Sequence, residues 1–134
     1  MAYAIKVALE NPRARTFVFA AQKTMYGGKR IAVGDTIFIF DSENEGGLVA
    51  RGIVTQARAV AKKRGLARQT PRVSIAVARR ALARRSLGRA ALKGFRDWDD
   101  ARPETELNFK FYRQATNKIV GISDGAAAFL ATFF

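Results

Sequence analysis

The sequence contains no cysteine and no histidine, and across 134 residues only 11 Asp+Glu stand against 24 Lys+Arg. Without cysteine there can be no disulfide framework, no thiolate nucleophile and no cysteine zinc site. The absence of histidine also removes a common transition-metal ligand and the usual proton shuttle near neutral pH, so catalysis would fall to carboxylates, lysine or tyrosine. Long apolar runs are missing too: residues 126–134 are too few to cross a bilayer, and Met1–Glu10 lacks the basic-then-apolar pattern of a secretory leader. These absences lead us to expect a soluble, cytoplasmic protein without a membrane segment, a metal or a cofactor.

What is present is enough apolar material for a core, 49% hydrophobic residues with 10% aromatic, in the length of one domain spanning 1–134. The formal charge of +13 repels itself unless a polyanion screens it. Nucleic acid does so through its phosphates, and released counterions favour the contact. An anionic membrane surface is the competing partner.

The charge is concentrated. From Gly46 to Arg96 there is no acidic residue, yet the segment carries fourteen cations, eleven of them arginine. Arginine's planar fork suits bidentate phosphate contacts, so Arg64, Arg68, Arg72, Arg79, Arg80, Arg84, Arg85 and Arg89 are candidate phosphate ligands. A solvated basic face is the alternative.

Strand signals dominate. Tyr3–Leu9 reads as a first strand ending at Asn11-Pro12, which makes a turn or opens a helix. Thr16–Ala21 fits strand or helix equally. Ile37–Phe40 is a strong strand, introduced by the Val33-Gly34-Asp35 turn. Through a polar loop from Asp41 to Gly47 it forms a hairpin with Leu48–Val60. Lys62–Pro71 is a basic loop, and Val73, Ile75 and Val77 then alternate at strand period. Ser86 should cap a short helix with Arg89 and Lys93 on one face. Leu107–Arg113 alternates as a half-buried strand, Ile119–Ile122 is a last strand, and Ser123 or Asp124 caps a terminal helix. The expected class is α+β, a small barrel of five or six strands with two or three short flanking helices.

The order of these elements is similar to that of the PUA-like superfamily. The residues that carry the similarity are Val33-Gly34-Asp35 before an apolar strand, then Phe40-Asp41-Ser42, a glycine loop and Gly52-Ile53-Val54. Within that superfamily the chain resembles EVE and ASCH domains, whose closing strand and helix Ile119–Phe134 also matches. The resemblance implies a pseudo-barrel with a cleft for RNA, or for a flipped and often modified base in DNA.

Side chains that could serve such a cleft are aromatic ones beside polar or glycine-rich loops, namely Tyr26, Phe40, Trp98 and Tyr112, together with Ser42. To these the polar run at Arg113, Gln114, Asn117 and Lys118 adds donors and acceptors suited to a base edge. Trp98 sits among Asp97, Asp99 and Asp100, which would repel phosphate, so it reads as a cap on the barrel sooner than as a base stacker, and Arg113–Lys118 also reads as a hairpin turn. Two carboxylate groups, Asp97/Asp99/Asp100 and Asp41/Glu43/Glu45, have the composition of a hard-metal site but no nuclease-like lysine spacing.

The expectation is therefore a non-catalytic module that binds RNA or DNA. One alternative is an ASCH-like enzyme acting on RNA or modified nucleosides through Asp35, Glu43 or Lys29. Another is a basic module for an acidic protein.

Overall fold

A computed structural model describes residues 1–43, 47–114 and 117–134, without the Gln114 side chain. Six strands close into one barrel: β1 (Ala2–Val7), β2 (Thr16–Met25), β3 (Thr36–Asp41), β4 (Leu48–Ala59), β5 (Arg72–Leu82) and β6 (Lys118–Ile122), in the spatial order β1-β3-β4-β5-β2-β6. The pairs β1–β3 and β2–β6 are parallel and the other four antiparallel. Three short helices accompany them: α1 (Arg89–Leu92), α2 (Pro103–Asn108) and α3 (Asp124–Ala131). The expected small α+β barrel with flanking helices is what forms.

Period-two alternation sorts the strand residues into two apolar layers. Tyr3, Ile5, Ile37, Ile39, Val77 and Ile119 share the barrel core, whereas Ala4, Phe38, Phe40 and Val120 pack outward against Leu107, Phe111 and Leu130 of the helical layer. Strands β1 and β3 are thus buried on both faces, which explains the unbroken apolar run of Ile37–Phe40.

The motif glycines have separate reasons. Gly34 sits at φ +93, and the turn it makes is closed by Asp35, whose Oδ2 accepts from the Ala32 amide at 2.8 Å. At Gly52 a Cβ would lie 2.7 Å from the Ala78 carbonyl oxygen and collide with Val77, so β5 can approach β4 only because that atom is missing.

The ambiguous Thr16–Ala21 stretch is strand, with an irregularity between Phe19 and Gln22 where Ala21 takes φ +49. Asn11-Pro12 makes a turn and opens no helix: Asn11 Oδ1 accepts from the Arg13 amide at 3.0 Å. Nor does Ser86 cap α1, whose N-cap is Gly88.

The largest departure is Leu107–Arg113, expected as a strand. Its first residues end α2, and Phe109–Gln114 continues as a π-helical turn. Both periods fit LNFKFYR, because Leu107 and Phe111 are four apart as well as alternating. The signals that decide are Pro103 at the first helical turn, with Glu104 and Glu106 beside it. Of the run Arg113–Lys118, also read as a hairpin turn, Arg113 and Gln114 end this turn and Lys118 opens β6, while 115–116 lie outside the described residues.

At the C-terminal helix Ser123 is the cap, its Oγ accepting from the Ala126 amide at 3.1 Å. Glu106 reaches over from α2 to accept from the Ser123 amide at 2.8 Å and from its hydroxyl, and pairs with Lys110 at 3.1 Å. Burial pushes the Glu106 carboxyl upward, but the Ser123 bonds and Lys110 more than offset it and hold it below the ordinary glutamate value.

Candidate nucleic-acid interface

Lys6 stands on β1 in the outward-facing row of Ala2 and Ala4, a row covered by the helical layer. Only 7% of it is exposed. Its ammonium donates to the Phe111 carbonyl at 2.9 Å and lies 4.2 Å from the centre of the Tyr112 ring. Burial, then the charge of Arg89, pushes the Lys6 ammonium below its ordinary value. Burial likewise pushes the Tyr112 phenol up to about 12, against the pull of Arg89, so it remains protonated at neutral pH.

These two side chains line a cavity of about 610 Å³ whose other walls are Ser42, Arg89, Ala90, Lys93 and Arg96. These walls come from β1, the loop after β3, α1 and its C-terminal end, and the π-helical turn. Ser42 follows β3 and is held by its backbone amide, which donates to the Val7 carbonyl at 2.8 Å. Arg89 opens α1, Lys93 ends it, and the Arg96 side chain donates back to the Lys93 carbonyl at 3.1 Å. No described lining residue is acidic. Among the described residues the ion pairs are Arg102–Asp100 and Lys110–Glu106, neither involving these four cations.

Of the candidate phosphate ligands only Arg89 lies here. Others hold the protein's own carbonyls: Arg72 donates to Ala21 at 2.9 Å, Arg79 to Arg13 at 2.7 Å, Arg85 to Thr132 at 2.9 Å, and Arg84 to Phe134. Arg80 faces a groove between Arg51 and α3, and Arg64 and Arg68 project from the loop joining β4 to β5. The acid-free segment is therefore spread along a long hairpin and α1 and does not ring one cleft.

Of the base-pocket candidates, Ser42 and Tyr112 meet in the cleft. Phe40 does not: it is fully buried against Phe111, ring centres 4.8 Å apart, because its side of β3 faces the helical layer. Trp98 is 42% exposed and so does not cap the core. It packs at 5.2 Å on Phe109, with Arg113 5.9 Å from its ring, and lines a separate pocket of about 390 Å³ with Glu106 and Lys110. Tyr26 is beside Phe109 as well, with the Lys110 ammonium 4.9 Å from its ring centre. Asn117 and Lys118 line a third recess with Lys23 and Arg72. The side chain of Gln114 lies outside the described residues, as does Glu45.

Lys6 was not singled out by sequence, whereas Lys93 and Arg96 were counted in the acid-free segment but not among its candidate phosphate ligands. A lysine inside a strand ordinarily marks the solvent face. The signal against that reading of Lys6 is its sharing a face with Ala2 and Ala4, small residues suited to a covering helix. Among the described residues no three acidic side chains come together to hold a metal, and no helix is long and apolar enough to cross a membrane.

No protein-family model matches the chain, and no curated protein matches it. Solved structures do. The human THYN1 protein in complex with 5-methylcytosine-containing DNA superimposes with a TM-score of 0.67 at 15% identity, over 98% of this chain and 96% of that one. The DUF55 domain of human thymocyte nuclear protein 1 gives 0.66 at 13%, over 98% and 97%. The ASCH protein of Zymomonas mobilis gives 0.54 at 10%, over 98% and 94%. At such identities the likeness concerns the fold, which is the PUA-like barrel of EVE and ASCH-type domains.

Proposed function

We propose that this chain is a nucleic-acid-binding module, for RNA or DNA, that takes one nucleotide into the cleft between β1, α1 and the π-helical turn. The observation that carries this reading is Lys6, a nearly buried ammonium on a cavity wall whose described charged residues are all cationic. Taking an ammonium out of water is costly, and a phosphate or a carbonyl-rich base edge arriving in the cleft would supply the acceptors it lacks. Arg89, Lys93 and Arg96 would hold phosphates while the Tyr112 ring offers a surface to the base. Support comes from the shared fold of a human protein solved with 5-methylcytosine-containing DNA. A modified base is one such ligand for a cavity of about 610 Å³. The role proposed is binding without chemistry.

The test is a salt series of affinities for single-stranded RNA, duplex DNA and duplex DNA with modified bases. Binding that weakens with salt, and is weakened by Lys93→Ser/Arg96→Ser, supports the reading. No affinity even at low salt refutes it.

A further inference from the structure

A second set of cations begins on the strand next to the cleft. β6 adjoins β1, with Ile119 opposite Ile5, so Lys118 starts the strand beside Lys6. Lys23 of β2 is directly opposite Lys118 on one side and Arg72 of β5 on the other. Directly opposed residues project to one face, about 4.8 Å apart between strands. Three like charges side by side weaken a sheet, and the two recesses they line contain no acidic residue.

The row continues onto the loop between β4 and β5, where Lys62, Lys63 and Arg68 line the second recess with Lys29. That loop is held in shape. Gln69 accepts from the Lys63 amide at 2.9 Å and donates to the Lys63 and Leu66 carbonyls at 2.8 and 3.1 Å. Its end is tied to β2 by Thr24, whose amide and hydroxyl donate to the Pro71 carbonyl at 3.1 and 2.8 Å. The cations are thus mounted on fixed backbone, and little order need be gained on binding.

We infer that this cross-strand row is a second, base-independent surface for the phosphate backbone of a double helix. It extends the nucleic-acid reading without using the cleft. No aromatic residue lines either recess, so an unpaired strand would find nothing to stack its bases on, whereas a duplex stacks its own.

The test compares the wild type with Lys23→Ser/Lys62→Ser/Lys63→Ser/Lys118→Ser on two labelled probes: a trinucleotide, which the cleft can take alone, and a duplex of about 20 base pairs. For the variant, trinucleotide affinity stays unchanged. Its duplex salt slope becomes shallower by roughly 2 to 4, about 0.9 for each lost contact. An unchanged slope overturns the inference, and an equal loss on a single strand of the same length overturns its assignment to duplex. A wild type that ignores the trinucleotide, while the variant still loses duplex, refutes the cleft and leaves this surface standing. Independently of any ligand, Lys23→Gln raises Tm at low ionic strength, and the gain vanishes near 1 M salt, where charges more than about 3 Å apart are screened. Absence of that gain removes the premise of mutual repulsion.

Discussion

Replacing Lys6 by methionine separates what the residue does for folding from what it does for binding. In the free protein its ammonium has, among the described residues, one hydrogen bond, to Phe111, and the Tyr112 ring. Those contacts offset desolvation that amounts to several kcal/mol for a buried ion. Methionine has similar length, ends that penalty, and leaves the Phe111 carbonyl without the lysine at a cost of about 1–3 kcal/mol. The two changes oppose each other, so the variant's unfolding free energy in urea should equal or exceed that of the wild type. Ligand binding has no such compensation: one charge-assisted contact of about 1.5–3 kcal/mol is lost, weakening Kd by about 10- to 150-fold. Fluorescence anisotropy with a labelled trinucleotide measures this directly. A variant that folds normally and binds within about twofold of the wild type would refute the role given to Lys6. The pH dependence supplies a second reading. Since the folded-state pKa is lowered, the unfolded chain holds more protons between that value and about 10.4, and stability rises with pH over that window. The methionine variant loses this rise.

Arg79→Ser should lower stability by about 1 kcal/mol while leaving trinucleotide affinity alone, because its guanidinium holds the carbonyls of Arg13 and Ala14; parallel denaturation and binding curves check it. Gly52→Ala should destabilise by about 1–3 kcal/mol, seen as a lower urea midpoint, since its Cβ must displace β5. Glu106→Gln should flatten the acid limb of the stability curve. A carboxyl lowered in the folded state contributes above its unfolded value of about 4.3, and that contribution fades as pH falls through the folded value. An unchanged acid limb would show that the Ser123 and Lys110 contacts do not favour the ionised form.

The barrel was legible wherever one strand signal stood without competition, as at Ile37–Phe40 and at Val73, Ile75 and Val77. Leu107–Arg113 was not, because two periods fit the same letters and the helix-starting residues lie upstream of them. For the site, charge raised the expectation of a polyanion but could not tell which cations are spare. An arginine fork satisfies backbone carbonyls as readily as phosphates, and Arg72, Arg79, Arg84 and Arg85 all do so. Lys6 escaped notice because residue 111, which covers it, is remote in sequence and sits on the element read incorrectly.

The closed strand order also governs how this chain comes into being. Strand β1 pairs with β3 and with β6, Ala2 lying opposite Ile122, so the barrel cannot shut until its last strand is available. Contacts of such wide sequence separation form slowly, and during synthesis the apolar faces of the early strands must wait in solvent. Over that interval the acid-free hairpin gives every nascent copy the same strong positive charge, so neighbouring copies repel one another while their edges are still open.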